Sequence, residues 1–126
     1  MIQNSTRANI PKIGLGTHLG SFSDEDSKQY TDAIMFAVQN GITMIDTAIN
    51  YRGMRSEKDV GKAVSTLISS GIIKREDILI SSKAGLLFGD IATLEEMISF
   101  ALNGVDAINV GSKNVQHIQE ILNIMI

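Results

Sequence analysis

Short apolar segments alternate with helix-like segments along this chain of 126 residues. The apolar segments are residues 42–46, 78–83 and 105–110, and the glycine-containing stretch Ile13–Thr17 is a weaker candidate before them. Between them, apolar residues recur at helical spacing. Strands that alternate with helices are typical of a parallel sheet or part of a barrel. The predicted fold class is therefore α/β, built from parallel (β/α) units.

Four helices are predicted between and after these strands. Ser23 and the acidic residues behind it suit a helix start, and Asn40-Gly41 suits its end. The second helix is predicted to begin at Ser56, with Asp59 as a capping partner, and the charged segment Lys74–Asp77 after it is predicted as a solvated loop. The other two predicted helices cover residues 93–103 and the segment after Asn114.

The composition fits one globular domain over residues 1–126, with 44% hydrophobic and 20% charged residues. A net charge of -3 argues against a nucleic-acid partner, which would need a basic face. No apolar run approaches the roughly 18 residues of a membrane span and no signal peptide is visible, so a cytoplasmic location without a membrane partner is expected. His18 and His117 have no neighbours at metal-ligand spacing, so no metal site is expected.

Asp46, Tyr51 and Lys83 form the first candidate site. Asp46 and Lys83 end two predicted strands, and parallel strands place their carboxyl ends at one edge, where α/β folds keep their chemistry. A tyrosine can protonate a carbonyl oxygen, but a phenol titrates near pH 10, and a neighbouring ammonium favours the phenolate. The alternative is a purely structural Asp46–Lys83 ion pair beside a half-buried loop phenol.

Gly111, Ser112, Lys113 and Asn114 form the second candidate site. A glycine turn into a helix start offers free backbone N–H groups and the positive end of the helix dipole, which suits a phosphate. Lys113 adds a charge and Ser112 a hydroxyl. The alternative is an ordinary strand-to-helix turn capped by Asn114. Both readings stay open at this stage.

These segments together resemble the aldo-keto reductase family. Gly14–Thr17 is similar to its first-strand motif, and Gly41–Tyr51 with Ser56–Gly61 is similar to its signature around the catalytic acid and tyrosine. Arg75–Lys83 is similar to the strand that ends in the catalytic lysine, and Gly111–Lys113 with the helix behind it is similar to the last strand and helix.

The resemblance implies a (β/α)8 barrel that reduces aldehydes or ketones with NADPH. Tyr51 would donate the proton, with Lys83 and Asp46 tuning it, and a small carbonyl compound would be the substrate. In the family, a histidine after the fourth strand orients the substrate carbonyl, and the segment holding it has no counterpart here. The positions implied to bind NADP(H) are Gly16, Thr17, Gly111, Ser112, Lys113, His117 and Glu120.

The chain offers four strands, whereas such a barrel has eight strands and about 250 residues. We therefore expect about half a barrel, in which the first three units join the last helix, strand and helix at a deletion junction near residues 89–92. Three explanations compete for the gap: a truncated or internally deleted gene product, a sequence that is the ordered part of a longer protein, or two chains that associate to complete a closed sheet. If the chain is complete, the exposed sheet edges predict a homo-oligomer.

Two other readings are open. One is a non-catalytic barrel remnant that associates with itself and binds nucleotide weakly at most. The other is a small flavodoxin-like phosphate-binding domain with helices on both faces of an open sheet. The flavodoxin-like reading predicts that the loop between Asp46 and Tyr51 does not approach Lys83.

Overall fold

A computed structural model describes residues 10–84, 102, 104–110 and 113–124. Within them the chain alternates strands and helices as the sequence predicted. The elements in chain order are β1 (Leu15–Gly16), α1 (Asp24–Gln39), β2 (Met44–Asp46), α2 (Arg55–Ser69), β3 (Leu79–Ala84), β4 (Ala107–Val110) and α3 (Val115–Ile124). A single 3₁₀ turn, Arg75–Asp77, precedes β3.

The four strands form one parallel sheet in the order β1-β2-β3-β4. Its register pairs Gly16 with Asp46 and Asp46 with Ser81 across the first three strands, and Lys83 with Asn109 across the last pair. All the carboxyl ends therefore lie along the same rim. The predicted α/β class with parallel (β/α) units is confirmed.

The hydrophobic core lies between one face of the sheet and the helices α1 and α2. Ile45 of β2 and Ile80 of β3 are buried in it, together with residues that follow the helical period on α1 and α2, namely Ile34, Val38, Val60, Ala63, Val64 and Leu67. Side chains of a strand alternate between faces, so Met44, Asp46, Ser81 and Lys83 belong to the opposite face. These four are only half-buried. The core is thus one-sided, as in a (β/α) barrel whose strands enclose an inner face.

The two helix starts differ in how well the sequence predicted them. Ser23 caps α1 as predicted, its side-chain oxygen accepting the backbone N–H of Asp26 at 3.2 Å. The predicted start of α2 at Ser56 is wrong by position and by role. The cap residue is Met54, which makes no side-chain cap hydrogen bond, and Ser56 lies buried inside the first turn.

The charged segment before β3 is also more than a solvated loop. Arg75 donates from Nη1 to the carbonyl of Ile78 at 2.9 Å and to Oδ2 of Asp106 at 3.1 Å. The same carboxylate oxygen accepts the backbone N–H of Ile80 at 2.6 Å. The turn therefore fastens the segment that leads into β4 to the start of β3. The expected junction near residues 89–92, the bulk of the predicted helix 93–103, Gly111 and Ser112 lie outside the described residues.

Candidate active site

Asp46 and Lys83 meet at the rim of the sheet. Lys83 Nζ donates to Asp46 Oδ2 at 2.8 Å and to the carbonyl of Thr47 at 3.3 Å. The two side chains share a face because Asp46 pairs with Ser81, two residues before Lys83. The side chain of Lys83 is 36% exposed and that of Asp46 is 41% exposed. A pair this open to solvent contributes little to stability, so its geometry is more informative than its energy.

Tyr51 completes the cluster that the sequence predicted. Its ring lies over Lys83, with the Nζ atom 4.8 Å from the ring centroid. Burial alone would lower the pKa of Lys83, but the hydrogen bond to Asp46 and the neighbouring Tyr51 phenol outweigh it and raise that pKa above its usual value. The lysine therefore remains an ammonium at neutral pH. The flavodoxin-like reading is excluded, because it required the loop from Asp46 to Tyr51 to stay away from Lys83.

The loop that carries Tyr51 is held by a buried arginine that sequence reasoning missed. Arg52 is 3% exposed, and its Nη1 donates to Asp59 Oδ2 at 2.6 Å. Its Nε donates to the carbonyl of Ser21 at 2.7 Å, and its Nη2 to Ser27 Oγ at 3.1 Å. The guanidinium also lies 4.8 Å from the ring centroid of Tyr30, a cation–π contact. These contacts tie the loop to α1, to α2 and to the segment after β1.

The backbone next to Arg52 has an unusual conformation. Arg52, Gly53 and Met54 have φ angles of +52°, +62° and +74°, so three consecutive residues are left-handed. For residues other than glycine this conformation costs of order 1 kcal/mol or more and persists only where other contacts enforce it. The hydrogen bonds of Arg52 provide that enforcement. Nothing in the local sequence marks Arg52 as buried. The left-handed conformations of Arg52 and Met54 point to an anchored loop only once the structure is known.

Thr17 connects β1 to the rim from the other side. It is fully buried, and its hydroxyl donates to the carbonyl of Asp46 at 3.1 Å. Its own carbonyl accepts the hydroxyl of Ser56 at 2.6 Å. Ser56 therefore joins the first turn of α2 to the end of β1 rather than capping the helix. Gly16 lies beside Asp46 in the ladder, and a Cβ atom there would meet nothing within 4 Å.

His18 is a rim residue that the site prediction left out. Its exposed ring meets the ring of Tyr51 edge to face, with the centroids 4.8 Å apart and the planes at 60°. The only signal in the sequence was its place directly after a predicted strand end. Four side chains that can bear or donate a proton therefore gather at one rim: His18, Asp46, Tyr51 and Lys83.

The second candidate site lies on the C-terminal unit. Lys113, His117 and Glu120 are exposed before and along α3. The side chain of Asn114 accepts the backbone N–H of Gln116 at 2.8 Å, so the capping role is present. Among the described residues, no hydrogen bond, ion pair or ring contact joins these side chains to the Tyr51 cluster, and their part in cofactor binding stays a prediction.

The described part of the chain shows neither a membrane-spanning helix nor a metal-binding cluster. None of its helices has the length and apolar character needed to cross a membrane. The same residues contain no group of three or more His, Cys, Asp or Glu side chains placed to hold a metal ion.

Known proteins share part of this sequence. The model of the Aldo/keto reductase family matches residues 12–97. Aldose reductase B of Dictyostelium discoideum is 40% identical over 74 residues, which cover 59% of this chain and 22% of the relative. Estradiol 17 beta-dehydrogenase 5 of Mus musculus is 35% identical over 79 residues, which cover 63% of this chain and 23% of the relative.

Solved structures agree with these sequence matches. The crystal structure of an aldo-keto reductase of the silkworm, Bombyx mori, superposes with a TM-score of 0.61 at 34% identity, covering 80% of this chain and 32% of that chain. An aldo-keto reductase complexed with NADPH superposes with a TM-score of 0.60 at 33% identity and the same coverage.

The fold places this chain among α/β proteins built from parallel (β/α) units. This chain belongs to the aldo-keto reductase family, as the resemblance implied, because the family model matches 86 of its 126 residues, counted from 12 to 97 inclusive. It spans less than a quarter of the length of the two curated relatives named above.

Proposed function

We propose that the rim cluster reduces a small aldehyde or ketone to the alcohol, with NADPH as the reductant. The observation that carries the proposal is the contact of one ammonium with two groups: Lys83 Nζ lies 2.8 Å from Asp46 Oδ2 and 4.8 Å from the Tyr51 ring centroid. The Lys83 ammonium therefore lies between the Tyr51 phenol and the Asp46 carboxylate at the carboxyl ends of the strands.

In this proposal Tyr51 is the proton donor. When the carbonyl carbon is reduced, the C=O π pair moves to oxygen, and that oxygen takes the phenolic proton. The phenolate left behind is stabilised by the Lys83 ammonium, which Asp46 holds in place. Solvent then returns a proton to Tyr51, because the rim is open. NADPH, when bound, would supply the hydride that the carbonyl carbon accepts.

The donor chemistry of the described residues fits a phosphate-bearing cofactor. Lys113 is an exposed cation immediately before the N-terminus of α3, where backbone N–H groups and the helix dipole favour an anion. The open space at Gly16 leaves room for a ligand above β1. We therefore propose that Lys113, with His117 and Glu120 on α3, contributes to NADP(H) binding, with Gly111 and Ser112 as further expected contributors. Gly16 is proposed as a contact at the other edge of the sheet, and the buried Thr17 supports it by holding the end of β1 against Asp46.

Tyr51→Phe is the direct test. The substitution removes the acid and keeps the ring over Lys83, so NADPH-coupled reduction of a small aldehyde should fall by about 10²- to 10⁴-fold. Tyr30→Phe is a matched control because Tyr30 and Tyr51 are the two tyrosines of the chain, and it removes one hydroxyl that donates to the carbonyl of Leu19 at 2.6 Å. That control should retain most of its turnover. Equal turnover of the Tyr51→Phe variant and the wild type would refute the proposed mechanism.

A second candidate function is a non-catalytic barrel remnant that assembles with itself. Val115, Ile118 and Leu122 of α3 are 78%, 42% and 53% exposed, so the apolar stripe of this helix is uncovered. Among the described residues, β1 and β4 each lack a strand partner on their outer side. Open edges and apolar patches favour association, and a second copy of this chain is the occupant we propose.

Light scattering coupled to gel filtration tests this second candidate. The wild type should show a mass that rises with concentration toward a dimer or larger species. Ile118→Glu with Leu122→Glu should shift the protein to a monomer, because two carboxylates cannot be buried unpaired at an apolar contact. A compact wild-type monomer at all concentrations would contradict self-association. NADPH binding without oxidation in the presence of an aldehyde would favour the remnant over the reductase.

A further inference from the structure

Arg52 is the residue through which two loops of the rim are joined. The loop after β2 carries Tyr51, and the loop after β1 carries His18, whose ring centroid lies 4.8 Å from that of Tyr51. The Nε atom of Arg52 donates to the carbonyl of Ser21, three residues after His18, at 2.7 Å. The side chain of Arg52 therefore connects the residue next to the proposed proton donor with the neighbouring loop.

The guanidinium of Arg52 is bound on three sides. Besides Ser21, it binds Asp59 of α2 through Nη1 at 2.6 Å and Ser27 of α1 through Nη2 at 3.1 Å. The side chain is buried, so water does not compete for these donors. Because a guanidinium is planar and its N–H groups have fixed directions, three partners on three segments determine its orientation as well as its position.

The backbone of the loop transmits this position to Tyr51. Arg52 and the two residues that follow it have positive φ angles, a strained conformation that persists only where surrounding contacts enforce it. The N–H of Tyr51 donates to the carbonyl of Ala48 at 3.1 Å, and the carbonyl of Tyr51 accepts the N–H of Ser56 at 3.4 Å. Tyr51 thus lies in a closed turn, and the buried side chain next to it ties that turn to the rest of the fold.

We propose that Arg52 is a positioning residue, whose guanidinium sets the place of the Tyr51 phenol beside Lys83 and thereby the rate of proton donation. It acts through Tyr51, because a buried side chain does not reach a substrate at the rim. A displacement of about 1 Å at a reacting group can cost about 100-fold in rate. The effect on rate rests on the proposed reductase function, whereas the position of the ring can be measured without turnover.

Arg52→Met combined with Asp59→Leu separates positioning from stability. The double variant removes both charges of the buried pair, which is often close to neutral for the fold, but it leaves the Ser21 carbonyl without its donor. The value of kcat for a small aldehyde should fall by about 10- to 100-fold with little change in KM, because the misplaced acid acts only in the transition state. Arg55→Met, which removes an exposed pair with Asp24, is the control and should keep the wild-type kcat.

Arg52→Lys keeps the experiment decisive if the double variant does not fold. Lysine retains a positive charge opposite Asp59, but its compact ammonium does not reproduce the three donor directions of the guanidinium. We expect kcat to fall in this variant as well. A wild-type kcat in a folded double variant or in Arg52→Lys would overturn the assignment and leave the proposed function intact.

NMR of the groups that lie against the Tyr51 ring measures its position without turnover. The ring current of Tyr51 displaces the signals of the Lys83 side chain and the His18 ring, and Tyr51→Leu gives their values without the ring. In both Arg52 variants these signals should move toward the Tyr51→Leu values, whereas Arg55→Met should retain the wild-type signals. If the wild type shows no turnover, the proposed function fails, but this movement still supports the positioning role. Wild-type signals in the folded Arg52 variants would overturn the inference.

Discussion

The region before residue 85 and the C-terminal unit, which contains β4 and α3, both consist of strands that alternate with helices, but different contacts hold them in place. The buried residues of the described structure, from Thr17 to Ser82, all belong to the first region. In the C-terminal unit, β4 alternates exposed and half-buried residues and α3 has no buried residue. Burial of apolar area is the dominant favourable term in folding, so within the described residues the first region contributes most of the stability.

The two regions also differ in how their polar groups are tied. Around the rim, Arg52 joins three parts of the first region through a fully desolvated guanidinium. The C-terminal unit depends on the β3–β4 ladder and on Asp106, which receives Arg75 and the Ile80 N–H. An amphipathic pattern therefore does not ensure that a helix is buried. The apolar stripe of α3 does not pack against the first region.

Arg52→Met should produce the largest stability change. The substitution leaves the Asp59 carboxylate, whose side chain is 10% exposed, without its cation. Removing one partner of a buried ion pair costs about 3–5 kcal/mol, so the free energy of unfolding measured with urea should fall by about that amount. Arg55→Met is the matched control, because Arg55 pairs with Asp24 at side-chain exposures of 41% and 98%. It should cost at most about 1 kcal/mol.

A double variant keeps this prediction testable if Arg52→Met does not fold. Arg52→Met combined with Asp59→Leu removes both charges, and replacing both partners of a buried pair by apolar groups is often close to neutral. The double variant should therefore recover much of the lost stability. Similar costs for Arg52→Met and Arg55→Met would show that the buried network is not what anchors the rim loop.

Asp106→Ala should have a smaller and more local effect. The carboxylate accepts two hydrogen bonds, from the Arg75 guanidinium and from the backbone N–H of Ile80, and bonds to a charged group contribute about 1.5–3 kcal/mol. Because the tie lies at the start of β4, the loss should appear as local opening of the β4 amides. Hydrogen exchange there should accelerate by about tenfold or more, while the amides of α2 keep their protection. Asp77→Ala is the control, because Asp77 is an exposed carboxylate in the 3₁₀ turn that contains Arg75. It should leave the exchange of the β4 amides unchanged.

Much of the first region could be predicted from the sequence because its signals are local or periodic. Apolar spacing located α1, β2 and β3, and the rule that parallel strands end at one rim brought Asp46 and Lys83 together. The position of Tyr51 in the loop directly after β2 placed it with them, and the family resemblance agreed. Each of these inferences needed only the residue types and their distances along the chain.

The missed features depend on contacts that are distant in sequence. Arg52 lies in a polar, glycine-containing loop, and its partners Ser21 and Ser27 are 31 and 25 residues away. Ser56 resembled a helix cap, but its hydroxyl reaches Thr17, 39 residues away. Composition cannot indicate such pairings, because a buried and an exposed arginine look the same in a sequence. The sequence therefore predicts the chemical groups at the rim, but it does not predict the contacts of Arg52 and Ser56 that hold the rim in place.

The smallest expected effect is the loss of stability at low pH that arises from Asp26, whose side chain holds the loop between His18 and α1. The backbone N–H and the hydroxyl of Ser21 donate to Asp26 Oδ2 at 2.5 and 2.7 Å, and they lower the pKa of Asp26 below its ordinary value of 3.8. A carboxyl with a lowered folded-state pKa stabilises the fold above its unfolded pKa, and this contribution disappears as the pH falls through the folded-state value. Solvent screens the site, so the change in melting temperature should be small.

Asp26→Asn should therefore melt below the wild type at neutral pH, and the two melting curves should converge as the pH falls below about 4. Ser21→Ala removes the hydroxyl donor but keeps the backbone N–H, so it should show part of the same convergence. Parallel curves for wild type and Asp26→Asn down to the acid limit would contradict the role of this carboxylate. Convergence would show that the Asp26 carboxylate helps to hold the loop after His18. Specific polar contacts would then hold this loop of the first region, whereas the C-terminal unit is largely exposed.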